Sequence, residues 1–215
     1  MGWNRKKNFK YLNKKQINLE THIKYEDVVT EELLQNTLDH NPHTGFLEDY
    51  RVISCLLKKY KPKTLFECGT NVGSGINVIK TALPEIKVYS LDLDYATMMQ
   101  NSKQYPIGEN GEDRVGSAAR FVYTQLRGDS MTFDFSKYPC ECYFIDSEHN
   151  FEVPYHETKT IAQLFPKVII WHDSDIPEVW AAIRDGLKDA EFWNPEAQYD
   201  LVRVEDCRVS YALKR

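Results

Sequence analysis

"TLFECGTNVGSGINVIKTALPEIKVYSLDLD", Thr64 to Asp94, is the stretch on which the fold turns. Thr64 to Cys68 is an apolar run of the length of a short buried strand, and Ile86 to Leu91 is a second such run closing on Asp92. Between them Ile76, Ile79 and Leu83 recur at helical spacing, so the stretch reads as a βαβ unit with a glycine turn after its first strand. Glycine admits positive φ and lets a ligand lie against bare backbone, which suits a nucleoside-bearing cofactor. The spacing from Glu67 through Gly69 and Gly73 to Gly75 is E-x-G-x-x-x-G-x-G. It is neither the G-x-G-x-x-G of dinucleotide binders nor a triphosphate loop ending in Gly-Lys-Ser/Thr. A tight turn that only packs helix against strand would use the same glycines.

Working outward, Phe46, Leu47, Val52, Ile53, Leu56 and Leu57 predict a helix over Thr44 to Tyr60, stopped by Pro62. Thr30 before Glu31 and Glu32 resembles a capped helix start. Downstream, Tyr105 to Gly116 reads as a loop, and Phe121 to Leu126, Cys142 to Ile145 and Val168 to Trp171 as strands. Val153 to Phe165 suits a helix, and Ser174 or Asp175 is placed to cap another with Pro177 in its first turn. Tyr199 to Val204 and Val209 to Leu213, joined by "EDCR", form a hairpin pattern. Strands alternating with helices predict a parallel, doubly wound α/β sheet with an antiparallel ending, whose ligands bind at the carboxyl ends of the strands. Residues 1–45 are expected to be a partly helical extension, and 46–215 the main domain.

Composition sets limits on function. The 215 residues suffice for one sizeable core, and 42% hydrophobic with 27% charged residues is the balance of a globular protein. A net charge of -5 argues against a broad nucleic-acid face, although Arg5, Lys6, Lys7, Lys10, Lys14 and Lys15 form a local basic run. Cys55, Cys68, Cys140, Cys142 and Cys207 are odd in number and scattered, as expected of reduced thiols in the cytoplasm. No run is long and apolar enough for a membrane span, and the N-terminus lacks the apolar segment of a signal peptide.

Acids fall at successive strand ends: Asp92, then Asp129 in "RGDS", Asp146 in "FIDSEHNF", and His172 with Asp173 in "WHDS". A lone aspartate of this kind is often a helix cap or turn residue. In these motifs the chain resembles a class I S-adenosylmethionine-dependent methyltransferase, and within that class the methyltransferase domain 24-like family. "LFECGTNVGSG", "VYSLDLD", "LRGDS", "YFIDSEHNFE" and "VIIWHDS" correspond to its successive motifs, and "VRVEDCRVSYALKR" to its closing strands. Ser147 and Glu148 stand where the family often has Gly and Asp. The resemblance implies a Rossmann-like, seven-stranded, mostly parallel sheet with its last strand antiparallel. It implies S-adenosylmethionine bound by Glu67, Gly69, Thr70, Asn71, Gly73, Ser74, Gly75, Asp92, Leu93, Gly128, Asp129, Ser130 and Asp146. Glu67 would meet the methionine amine, Asp92 the ribose, and Asp129 with Ser130 the adenine.

The cofactor's sulfonium already makes the methyl electrophilic, so alignment of the acceptor is the protein's main task, and ideal positioning supplies about 7–11 kcal/mol. A hydroxyl acceptor on a small molecule or sugar must also lose its proton, to a base or with help from a metal. The resemblance implies Asp146, His172 and Asp173 as ligands for a divalent ion, Mg²⁺ or Mn²⁺, while Asp146, His149 and His172 are the candidates for catalysis. Phe151 and Tyr155 are candidates for an acceptor pocket, and His156 and Glu157 for a solvated helix face. Metal-dependent oxidation on the same fold and a non-catalytic cofactor-binding module are the alternatives. A homo-oligomer through the N-terminal segment is compatible with the pattern.

Overall fold

The computed structural model describes residues 20–35, 47–100, 107–108 and 111–215. The basic run, Thr44 to Phe46 and the start of the expected Tyr105 to Gly116 loop lie outside them. The chain begins with β1 (Glu20–Ile23), α1 (Tyr25–Val28), α2 (Glu31–Leu34) and α3 (Leu47–Tyr60). The unit read from the glycine stretch follows as β2 (Thr64–Cys68), α4 (Ser74–Ala82) and β3 (Lys87–Asp92). Then come α5 (Tyr95–Gln100), β4 (Thr124–Arg127), β5 (Cys142–Ile145), α6 (Glu152–Ala162), β6 (Val168–Trp171), α7 (Pro177–Trp193), β7 (Tyr199–Val204) and β8 (Ser210–Lys214).

These strands form one sheet in the order β1-β7-β8-β6-β5-β2-β3-β4. All neighbours are parallel except β8, which runs antiparallel to both β6 and β7. The doubly wound architecture follows from strands that are apolar on both faces. Leu65, Cys142, Phe144, Val168 and Ile170 enter a core with Val52, Leu56, Ile76 and Ile79 of α3 and α4. Their strand neighbours Phe66, Tyr143, Ile145, Ile169 and Trp171 enter a second core with Ile161, Val179 and Ile183 of α6 and α7. The period of two along each strand thus feeds two helical layers from one sheet.

Four expectations are corrected. The described sheet has eight strands rather than seven, because Glu20–Ile23 adds to the β7 edge. Its sequence, ETHI, is largely exposed and has no apolar alternation; only backbone pairing makes it a strand. Strand β4 starts at Thr124 rather than Phe121, and Phe121 and Val122 are exposed. Helix α6 ends at Ala162, and Phe165 takes a positive φ of 59° beyond it. Neither Ser174 nor Asp175 caps α7, whose N-cap is Ile176. The Ser174 hydroxyl instead donates to the Arg208 carbonyl at 3.0 Å, tying β6 to the hairpin turn. Thr30 does cap α2, accepting from the Leu33 amide at 3.4 Å, and all five cysteines are free.

Candidate active site

The glycine turn leaves β2 against the end of β5. Gly69, at φ +95°, donates its amide to the Leu91 carbonyl at 2.8 Å, and the Asp146 amide donates to the Cys68 carbonyl at 2.9 Å. A Cβ on Gly69 would fall 2.0 Å from the Asp146 carbonyl oxygen, so only glycine fits. Gly75, in the first turn of α4, has ordinary φ, but a Cβ there would fall 2.0 Å from Glu67 Oε1. That contact explains the glycine at position 75: a side chain there would displace the buried Glu67 carboxylate. Glu67 is 1% exposed; the Ser90 hydroxyl donates to its carboxylate, Thr70 and Ser90 hydroxyls lie 2.7 Å apart, and Gln125 Nε2 donates to Thr70 at 2.9 Å. Burial pushes the Glu67 carboxyl well above the usual carboxylate range, against the opposing Ser90 bond. Glu67 and Thr70 form a buried network behind the turn, with Gly73, Ser74 and Gly75 opening α4 above it.

In front of the turn, at the carboxyl ends of β2 to β5, is a cavity of about 300 Å³. Gly69 and Asn71 form one side, Asp92 and Leu93 the next, and Gly128, Asp129, Ser130 and Met131 the loop after β4. Asp146, Ser147, Glu148 and Asn150 follow β5, and Val153 and Glu157 project from α6. Asp92 is pinned by two amides, accepting from Asn71 at 2.7 Å through Oδ2 and from Leu93 at 2.8 Å through Oδ1. Burial raises its pKa and these two bonds oppose the rise. Each oxygen keeps acceptor capacity for a ligand donor, since a carboxylate offers about four lone-pair sites. Asp129 is exposed at the rim and accepts from the Met131 amide at 2.9 Å.

The solvated-face expectation fails for Glu157, which is 0% exposed. Pro154, Glu157, Thr158, Ile161 and Ala162 are the buried positions of α6, an i, i+3, i+4, i+7, i+8 stripe. The period was present in the sequence; the charge concealed it. Met98, Met131, Asn150 and Val153 also line the cavity without having been singled out. Phe151 and Tyr155 stack on each other at 5.4 Å, and the Tyr155 hydroxyl donates to Asp189 Oδ2 at 2.6 Å, which holds that pair toward α7 rather than the cavity.

Strands β5 and β6 are neighbours, so Asp146 meets His172 and Asp173. His172 is 8% exposed, with Nδ1 3.5 Å from Asp146 Oδ1 and 3.1 Å from Asp173 Oδ2, and Nε2 3.2 Å from Asp49 Oδ2. Asp49, on α3, has no motif, and Arg208, the last residue of the "EDCR" turn between β7 and β8, is not among the candidate site residues of the sequence. Asp49 is 2% exposed and accepts from the Arg208 amide at 2.8 Å; the Arg208 guanidinium pairs with Asp173. Burial pushes the His172 imidazole down, but Asp146 and Asp49 more than offset it and the net shift is upward. Burial raises Asp146 too, opposed by His172 and His149. His149 Nε2 is 2.7 Å from Asp173 Oδ2, and one donor atom each from Asp146, His149 and Asp173 lies within 4.8 Å of the others. The geometry therefore gathers His149 with the two acids as a metal-competent group and sets His172 beside it among carboxylates, whereas the sequence reading had His172 in that group.

No protein-family model matches the sequence, and no curated protein matches it. Solved structures do. An O-methyltransferase from Bacillus cereus in complex with SAH is 14% identical, with 81% of this chain and 84% of that one covered at a TM-score of 0.50. A protein assigned as an O-methyltransferase from Klebsiella pneumoniae is 13% identical, with 81% and 83% covered at a TM-score of 0.51. The MycE methyltransferase of mycinamycin biosynthesis, solved with Mg, SAH and mycinamycin VI, is 14% identical, with 81% of this chain and 51% of that one covered at 0.52. At these identities the likeness concerns architecture: the chain has the Rossmann-like α/β fold of S-adenosylmethionine-dependent methyltransferases.

Proposed function

We propose that this protein transfers the methyl group of S-adenosylmethionine to a hydroxyl of a small molecule or sugar. The observation that carries the reading is Asp92, a carboxylate fixed by two backbone amides at the end of β3, beside a glycine turn and a cavity. A ribose diol is the ligand group that such an acceptor suits. On this reading Gly69, Asn71 and Leu93 face the cofactor, Asp129 and Ser130 its base, and Asp146 the reacting end. Glu67, Thr70, Gly73, Ser74 and Gly75 shape the turn from behind. Residues 46–215 are the transferase domain and 1–45 an extension whose β1 sits on the sheet edge. No helix among the described residues is long and apolar enough to cross a membrane; a cytoplasmic site accords with the free cysteines.

Asp146, which lines the cavity, is the base of this reading, and the buried His172 positions it: Nδ1 faces Asp146 and Asp173, and Nε2 faces Asp49, so three carboxylates stabilise the imidazolium that holds Asp146 in place. Asp146, His149 and Asp173 fit a divalent ion by donor type: two carboxylates suit Mg²⁺, and an imidazole shifts preference toward Mn²⁺. Such an ion would lower the pKa of the acceptor hydroxyl. Treatment with a chelator is then expected to abolish turnover and added Mn²⁺ to restore it. Full turnover after chelation would remove the metal from the reading and leave the Arg208 guanidinium as the cation facing Asp173.

The reading is tested by calorimetric titration with S-adenosylmethionine and with NAD. Micromolar binding of the sulfonium cofactor and none of NAD is expected. Asp92→Ala should weaken binding about 10- to 100-fold, because each hydrogen bond to a charged group is worth about 1.5–3 kcal/mol. Absence of binding by a folded wild-type protein would withdraw the proposal.

A further inference from the structure

The cavity has one wall in the loop after β4 and another in the loop after β5, and Glu157 lies where α6 closes them from below. The Ser147 hydroxyl, on the second wall, donates to Glu157 Oε2 at 2.7 Å. Oε1 is buried and meets no hydrogen-bond partner among the described residues. A carboxyl so placed is costly, and packing alone would be served by an apolar side chain of similar size. The next residue shows the contrast: Thr158, equally buried, is satisfied by the Trp171 indole N–H at 2.9 Å.

We infer, building on the cofactor reading above, that Glu157 is a positioning residue for the nucleoside end of the cavity. It holds the Ser147 hydroxyl of one wall and presents its free oxygen to the Ser130 hydroxyl of the other. A bound base that orders the Ser130 loop completes the clasp, with Ser130 donating to Oε1 and Ser147 to Oε2. That arrangement requires two acceptor oxygens and is therefore a property of the ionised carboxylate.

The protonation balance supports the same assignment. Burial raises the Glu157 pKa to about 7, while the Ser147 bond and the proximity of the Ser130 hydroxyl, which falls short of a hydrogen bond, pull it down and Glu148 and Asp129 add to the rise. Other ionisable groups nearby are Cys68 at the end of β2, together with His156 and Lys159 on α6 itself. A ligand that favours the doubly bonded carboxylate binds more tightly as Glu157 ionises, since coupling between proton and ligand is reciprocal.

The test titrates S-adenosylhomocysteine into wild-type protein, Glu157→Gln and Ser130→Ala at pH 6 and pH 8, with thermal melts of each without ligand. Wild-type affinity is expected to rise about fivefold from pH 6 to pH 8. Glu157→Gln, of equal size but unable to ionise, should lose that rise and bind about fivefold more weakly than wild type at pH 8. Ser130→Ala, on a half-buried loop residue, should flatten the pH profile in the same way while melting like wild type. A Glu157→Gln profile identical to wild type, or a wild-type profile that is flat or reversed, would overturn the inference while leaving the cofactor reading intact. Failure of folded wild-type protein to bind at either pH would overturn both.

Discussion

Gly69→Ala is expected to cost about 4 kcal/mol or more of folding stability, a large part of the 5–15 kcal/mol typical of a domain. Two effects add. A φ of +95° is strained for any residue with a Cβ, at about 1–3 kcal/mol. The new Cβ would also sit 2.0 Å from the Asp146 carbonyl oxygen. A backbone carbonyl cannot rotate away as a side chain would; relief requires separating β2 from β5, at the centre of the sheet. Gly111→Ala is the control. Gly111 has a φ of +77°, but its nearest neighbour to a Cβ is the Tyr95 hydroxyl at 3.6 Å, so only the conformational cost applies. Urea denaturation should separate the two variants by at least about 2 kcal/mol. Equal losses would mean that the turn has room to move, and that the cavity floor is less rigid than described.

His172→Ala is expected to lower methyl transfer about 10- to 100-fold, the usual cost of removing a group that orients a reacting or ligating side chain, here Asp146. Affinity for S-adenosylhomocysteine should stay within about threefold, because His172 does not line the cavity. Asp49→Asn should produce a smaller loss of the same kind. It keeps the shape but removes the charge that Nε2 faces at 3.2 Å, so the imidazolium that holds Asp146 is less well stabilised. The readout is release of S-adenosylhomocysteine with an acceptor found by screening hydroxylated small molecules. Turnover in His172→Ala within threefold of wild type would eliminate it as a positioning residue for Asp146.

What the sequence determined by itself was the periodic part of the molecule. Runs such as "TLFEC", "CYFI" and "VIIW" are strands wherever they are placed, because both faces of each must be covered, and their alternation with helical patterns leaves a doubly wound parallel sheet as the economical arrangement. The strand-end acids were legible for the same reason: topology puts the carboxyl ends of β2 to β6 together, and Asp92, Asp129, Asp146, His172 and Asp173 are among the polar residues found there.

Tertiary structure decided what depends on distance rather than period. Glu20–Ile23 is a strand only because the β7 edge offers backbone partners to it. Asp49 belongs to the His172 cluster because α3 packs across the sheet end, and Arg208 because the β7–β8 turn lands beside Asp173; neither relation has a local signature. Glu157 is the intermediate case. Its helical stripe was written in the sequence, but the two loops that bury it on one side and leave Oε1 unpaired on the other come from residues 10 and 27 positions earlier, Ser147 and Ser130. Periodicity is a property of neighbours along the chain, whereas a site is made of groups that the chain brings together only after the sheet has formed.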